Sequence, residues 1–357
     1  MKKTSVKKLA SILLLLSIGM CSCSKAPAET STPTEPSEVS NELEQKTIDS
    51  LSEVADGIYE MDFYSDYKLD EYLAANITDI VGMDTWLTEN LTHGVPTGDI
   101  PEFGCSSFAI EGDNGDHLFG RNYDMKNGDS LVVRTAPENG YASVGIVDLM
   151  HINLGGDGDY AMDDETGKSL LLAAPWGISD GTNEKGLGVS ILELSISHET
   201  KDTSKDDLLL YAALRVILDK CATIDEAVDL LSNYDVYSSR SSAFYHLFLT
   251  DTSGRSVIVE WDDDNEQIVV EDTAVANFEL YQGDLNKDYD RRYSKIHKKI
   301  DEVDSMTSEE AMGVLKFAKQ SGTHWSAVYD LEKFSVDVCF NIDYDHTYSF
   351  EGKMSPL

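Results

Sequence analysis

The sequence predicts an α+β fold of layered antiparallel sheets, with helices set apart from the strands. Two observations carry this. Apolar runs of strand length come in pairs across turn signals: 107–111 with 117–121 around Asp113-Asn114-Gly115, and 245–250 with 256–261 around Asp251-Thr-Ser-Gly254. Helical patterns arrive as consecutive pairs between those strand groups, not singly after each strand as parallel βαβ units require.

At the start of the chain, Lys2, Lys3, Lys7 and Lys8 precede an apolar run over 9–20. That run is too short to span a bilayer as a stable helix and reads as the core of a signal peptide, residues 1–22. Ser22 stands before Cys23 and a polar stretch, a pattern similar to a bacterial lipoprotein signal. Cys23 is then expected to become the acylated first residue. Its acyl chains would anchor the exported protein on the outer face of the bacterial cytoplasmic membrane. Residues 23–46, rich in Ser, Thr, Pro and Glu, read as a flexible tether. Over 47–104, Ile77, Ile80, Val81, Met83 and Leu87 fall at helical spacing. They predict a helical prosegment of two or three helices, ending in a Gly/Pro-bearing loop at 93–104.

Beyond Cys105 the pattern turns to strands, at the first hairpin and again at 130–135, 142–148 and 188–194. A helix over 206–221 offers a broad apolar face (Leu208, Leu209, Ala212, Leu214, Val216, Ile217). The next opens on the capping box Thr223-Ile-Asp-Glu226. After the second hairpin come helices over 292–303 and, from the capping box Thr307-Ser-Glu-Glu310, to Lys319. Strands at 325–330 and 335–341 close the chain. The stretch 105–357 is long enough for one domain with a large core.

The whole sequence carries 28 basic and 65 acidic residues, net −37, and without the four leader lysines the balance is −41. Such a charge excludes nucleic acid as a natural partner, since that binding relies on Lys and Arg neutralising phosphates. With Cys21 and Cys23 assigned to the leader, Cys105, Cys221 and Cys339 remain, too few and too far apart for a disulfide framework. Neither Cys-x-x-Cys nor a zinc spacing occurs in the body, and no metal or other cofactor is expected.

The residues that bear chemistry cluster at Gly104-Cys105-Ser-Ser-Phe and Gly120-Arg121-Asn-Tyr-Asp124. The hairpin returns Arg121 and Asp124 toward Cys105. A cation beside a thiol enlarges the thiolate fraction, and a carboxylate can hold an amino group in place. If the chain is cut before Cys105, the freed α-amine, with a pKa near ~8, can serve as general base to its own thiol. The plainer reading is a buried structural cysteine beside a surface Arg and a capping Asp.

These two motifs resemble the opening of the linear amide C–N hydrolases. That group spans choloylglycine hydrolase, penicillin V acylase, acid ceramidase and N-acylethanolamine acid amidase. The likeness continues at Asn183-Glu-Lys-Gly-Leu187, at 250–260, at Asn277 and at Asp290-Arg-Arg292. The resemblance implies a four-layer αββα N-terminal-nucleophile sandwich over 105–357. It implies that Cys105 attacks the amide carbonyl and its α-amine shuttles the proton. Asp124 would orient that amine, Arg121 settle the thiolate, Asn277 donate to the oxyanion, and Arg292 (or Arg291) complete the network. Glu193 stands where bile salt hydrolases carry Asn and so resembles the acid amidase and ceramidase branch, which also has a prosegment. The implied substrate is a small N-acyl amide, and self-cleavage is expected between Gly104 and Cys105. An acyltransferase to an amine, or a binding lipoprotein that captures an acyl amide without cleaving it, are the alternatives.

Other patterns carry less. Gly177-Ile-Ser-Asp-Gly181 matches a serine nucleophile elbow, but a strand rather than a helix is expected to follow. The acidic clusters 157–165 and 262–266 lack the ligand order of an EF-hand and read as solvated loops. Gly167-Lys-Ser lacks the earlier glycine of a phosphate loop.

Overall fold

The computed structural model describes residues 38–125, 128–156, 158–196, 200–238, 244–262, 264–282 and 290–356. The leader, Cys23 and the tether up to residue 37 lie outside them. Among the described residues no helix is long and apolar enough to cross a membrane.

In chain order the elements begin with α1 (Glu38–Asp49), β1 (Ser52–Ala55), β2 (Ile58–Phe63), α2 (Leu69–Ala74) and α3 (Ile80–Asn90). The hairpin β3 (Gly104–Gly112) and β4 (His117–Asp124) follows, then β5 (Ser130–Thr135), β6 (Ser143–Asp148) and α4 (Glu165–Leu170). Next come β7 (Ile178–Asn183), β8 (Gly188–Leu194), β9 (Asp206–Leu209), α5 (Ala213–Lys220), α6 (Ile224–Leu231) and β10 (Tyr234–Tyr237). The second hairpin is β11 (Phe244–Thr250) and β12 (Ser256–Trp261), followed by β13 (Gln267–Glu271) and β14 (Ala274–Ala276). The chain finishes with α7 (Arg291–Ile300), β15 (Ser305–Met306), α8 (Ser308–Ala318), β16 (Thr323–Asp330), β17 (Ser335–Phe340) and β18 (Tyr348–Glu351).

Two large sheets form the centre. One has nine strands in the order β1-β2-β5-β6-β7-β8-β11-β12-β13; the other has seven, β14-β3-β4-β16-β17-β18 with β15 pairing β3. Helix α5 lies on β7 and β8 and α6 on β12, while α7 and α8 cover β14, β3, β4 and β16 on the opposite side. This is the helix–sheet–sheet–helix arrangement that the resemblance implied. Buried hydroxyls join the facing sheets, with Ser107 Oγ 2.9 Å from Ser190 Oγ.

Three expectations need correction. The tether does not extend to residue 46, because α1 begins at Glu38. Residues 47–104 are not all helical. Asp56-Gly57, with Gly57 at φ 70°, turns β1 back on β2, and β2 runs parallel to β5 over Ile58–Phe63. The segment ahead of Cys105 is thus part of the larger sheet. The predicted helix over 206–221 starts late: Asp206–Leu209 forms β9, parallel to β10, before α5 begins. Only Leu208 and Leu209 of β9 are apolar and buried, too few to tell strand from helix by period.

The capping signals hold. Thr223 Oγ1 accepts from Glu226 N at the start of α6, and the Thr307/Glu310 box closes reciprocally at α8.

Candidate active site

Cys105 is the second residue of β3, and its side chain faces the interior between the two sheets with no exposed surface. The β3–β4 register sets Gly104 opposite Asp124 and Ser107 opposite Arg121. Arg121 is also wholly buried. Its Nη2 donates to Cys105 Sγ at 2.7 Å and to the Ile191 carbonyl at 2.7 Å. Its Nη1 reaches Ser107 Oγ at 3.4 Å, and its Nε faces Asp180 Oδ2 at 3.4 Å. The guanidinium therefore ties β4 to β8 and β7 across the core.

On the other side of Gly104 the seven-stranded sheet and α7 supply the remaining groups. The short strand β14 pairs with β3, Ala276 opposite Ser106, which carries Asn277 up to Cys105. Asn277 Oδ1 accepts the Cys105 N–H at 2.6 Å, and Asn277 Nδ2 donates to the Glu193 carbonyl at 2.6 Å. Asp124 accepts from Arg292 Nη1 at 3.1 Å and from Thr323 Oγ1 at 2.5 Å. Arg292 is fixed by Asp290, which also caps α7. Gly104 sits among these groups: a Cβ built on it would lie 3.2 Å from Arg292 Nη1, 3.4 Å from Asp124 Cβ and 3.7 Å from Asn277 Oδ1. The choice between Arg292 and Arg291 is thereby decided, since Arg291 is exposed.

All six expected residues meet around the Gly104–Cys105 peptide. One is placed differently from its expected role: Asn277 turns its carbonyl, not its amide nitrogen, to Cys105, so its donor is engaged by the Glu193 carbonyl rather than aimed at an oxyanion. Glu193, for which no specific role was expected, holds the segment ahead of Cys105, its Oε2 accepting the Phe103 N–H at 3.2 Å.

Burial dominates the thiol's electrostatics. It pushes Cys105 up to about 12; Arg121 and Arg292 pull the other way, and Asp124 and Asp180 reinforce the rise. The thiol of the intact chain is accordingly protonated, and the countercharge of Arg121 is Asp180. That carboxylate is itself fully buried and accepts from Trp325 Nε1 at 3.1 Å and Tyr329 OH at 2.5 Å.

Asp180 was not singled out by the sequence reading, although it lies inside the Gly-x-Ser-x-Gly match. That segment is β7, running through a turn into β8, and no helix follows Ser179. Glu260 was missed as a supporting residue. Its carboxylate accepts from Leu280 N at 2.9 Å, Tyr281 N at 2.8 Å and His246 Nδ1 at 2.9 Å, which pins the loop just after Asn277. It closes the 250–260 motif, where an acidic residue near the end of an apolar strand run is the signal that could have found it. Of the acidic clusters, residues 157 and 263 lie outside the described residues. Cys105, Cys221 and Cys339 are all free thiols.

A four-layer sandwich with a buried cysteine at the start of a central strand, ringed by Arg, Asp and Asn, defines the N-terminal-nucleophile class of amidohydrolases. Similarity to known proteins narrows this. The family model for linear amide C–N hydrolases, choloylglycine hydrolase family, matches residues 105–314, and the chain belongs to that family. It is similar to the penicillin V acylase of Pectobacterium atrosepticum, 34% identical over 131 residues, 32% of this chain and 35% of that protein. It is also similar to the bile salt hydrolase/transferase of Clostridium perfringens, 24% identical over 206 residues, 54% of this chain and 60% of that one. The chain thus spans about a third and three fifths of these two relatives. A crystal structure of a mutant conjugated bile acid hydrolase from Clostridium perfringens superposes with a TM-score of 0.52 at 17% identity, over 69% of this chain and 92% of that one. That likeness is one of fold.

Proposed function

We propose that the protein is a cysteine amidase that hydrolyses the C–N bond of a small N-acyl amide through a thioester, after cleaving itself between Gly104 and Cys105. The observation that carries this reading is the ring of Arg121, Asp124, Asn277 and Arg292 closed around a single peptide bond, with Arg121 Nη2 at 2.7 Å from the thiol.

In maturation Cys105 Sγ attacks the Gly104 carbonyl carbon. The C–N bond breaks as the C–S bond forms, and the thiol proton passes to the nitrogen. Water then displaces Sγ, leaving a Gly104 carboxylate and a free α-amine. That amine stays beside Asn277 Oδ1, its partner at 2.6 Å in the intact chain. In turnover the amine takes the thiol proton, Sγ attacks the substrate carbonyl, and the departing amine carries the proton away. Water, deprotonated by the same α-amine, releases the acid. For Asn277 to stabilise the oxyanion, its Nδ2 must exchange the Glu193 carbonyl for the substrate oxygen, a step worth roughly 3 kcal/mol by analogy with single oxyanion donors. Arg121 holds the thiolate, while Asp124 and Arg292 position the cut end.

The leader and Cys23 place the enzyme, in this reading, on the outer face of a bacterial cytoplasmic membrane, held by a lipid anchor. Its substrate is an N-acyl lipid or other N-acyl amide rather than a bile salt, a view that Glu193 supports. The test is release of a chromogenic amine from N-acyl amides by the matured wild type, compared with Cys105→Ala. Turnover abolished by the substitution is expected. Equal release by both proteins would remove the cysteine from the reaction.

A further inference from the structure

Residues 101–103, just ahead of β3, form no helix or strand, yet Phe103 is only 5% exposed. Its ring lies in a nest of other rings: Tyr123 at 5.2 Å between centroids, His151 at 5.8 Å, and Tyr245 at 5.9 Å in a stacked geometry. Tyr211 closes the floor edge-on to Tyr245 at 6.4 Å. The hydroxyls of Tyr123 and Tyr211 are turned on the imidazole, Tyr123 OH to His151 Nε2 at 2.8 Å and Tyr211 OH to His151 Nδ1 at 2.5 Å. Phe103 itself meets the nest through ring faces, which favour an aromatic guest.

Phe103 is joined to the very carbonyl that Cys105 attacks. Five chain atoms separate the Gly104 carbonyl carbon from the ring: Cα and N of Gly104, then C, Cα and Cβ of Phe103. During maturation the Gly104 carbonyl carbon becomes the acyl carbon on Sγ, the position an external acyl group takes in turnover. Whatever lies five atoms beyond that carbon lies in the nest.

We infer that the nest of Tyr123, His151, Tyr211 and Tyr245 is the acyl-binding site, and that it selects N-acyl amides carrying an aryl ring about five atoms from the carbonyl. Phe103 is the built-in first occupant, and after cleavage the tail ending in Phe103-Gly104 competes with substrate for the site. The inference rests on the amidase reading above.

The experiment uses matured wild type with amides of one chromogenic amine bearing acetyl, decanoyl or 6-phenylhexanoyl groups. The expected result is kcat/KM at least about tenfold higher for the phenylhexanoyl amide than for either other amide, equivalent to about 1.4 kcal/mol. In Phe103→Ala that ratio rises by a further factor of about ten, through a lower KM. Phe103→Leu, which keeps an apolar filling should the alanine variant not fold, moves it in the same direction by a smaller factor. Turnover without preference for the aryl acyl group, or ratios unchanged in both variants, overturns the inference while leaving the amidase reading intact. No thiol-dependent turnover of any of the three amides overturns both.

Discussion

The guanidinium of Arg121 and the thiol of Cys105 meet at 2.7 Å with no solvent access to either side chain. An exposed pair of this kind would be a thiolate. Here burial outweighs the cation and pushes the thiol up to about 12, so it stays protonated at pH 8. Cys105 is thus held as a buried, protonated thiol. Iodoacetamide at pH 8 is therefore expected to leave Cys105 unmodified in freshly isolated precursor and to label it in the cleaved protein, read by peptide mass. Equal labelling in both forms would show that cleavage does not expose the thiol.

Asp180 is the countercharge that lets Arg121 stay buried. Asp180→Asn keeps the shape and leaves the cation uncompensated, which costs about 3–5 kcal/mol for a buried pair. A urea-unfolding midpoint that falls accordingly, with slower appearance of the cleaved fragment, is expected. An unchanged midpoint would mean that Arg121 is neutralised by the thiolate instead.

Helix α7, which carries Arg292, is tied to the end of β13 by His297 and Asp272, 3.1 Å apart. Burial alone would lower His297, but its hydrogen bonds to Asp272 and Asp301 raise it above 6.5. Burial likewise opposes ionisation of Asp272, yet His297 and Tyr293 hold it at about 2. The sign follows from linkage. The raised His297 contributes fully below the ordinary histidine value and loses its contribution as pH climbs through its folded value. The depressed Asp272 contributes above the ordinary carboxylate value and loses its contribution as pH falls through about 2. The stability gap between wild type and His297→Gln should be widest near pH 5.5 and narrow by pH 8.5. Comparison with the variant matters, because His324, buried and lowered to about 4, pulls in the opposite sense on the acid side. A gap constant across that range would contradict the ion pair.

The segment ahead of Cys105 is built into the body. Besides the β2–β5 pairing, Arg134 binds Glu60 at 2.6 Å and Asp62 at 3.2 Å, Tyr67 OH donates to Asp219 at 2.6 Å, and Tyr72 packs on Trp176 at 4.1 Å. After cleavage the two fragments should elute together from a sizing column in native buffer and separate only in denaturant. A cleaved protein whose larger fragment elutes alone would contradict this.

Much of the fold was legible in the residues because turn and cap chemistry is local. Asp113-Asn-Gly115 gave the β3–β4 hairpin, and Thr307 with Glu310 gave the start of α8. The signal for β1–β2 was equally local, Asp56-Gly57, but the helical spacing of the residues after it drew the whole segment into one class. Strand β7 was illegible for a different reason. Ser179, Asp180, Thr182 and Asn183 are buried polar groups, and Ser179, Asp180 and Asn183 are held by partners distant in sequence, so no hydrophobic period marks them. The site was legible through its resemblance, which named residues but not polarities. Only three-dimensional pairing shows that Asn277 presents Oδ1 to Cys105, and that Glu193 binds the tail.

The most direct measurement is the intact and fragment masses of residues 24–357, for wild type and for Cys105→Ala. The account predicts a wild-type fragment beginning at Cys105 and running to Leu357, and a variant that stays uncut. If both proteins remain full length at acidic and at neutral pH, no α-amine is generated on Cys105, and self-maturation by this site is contradicted.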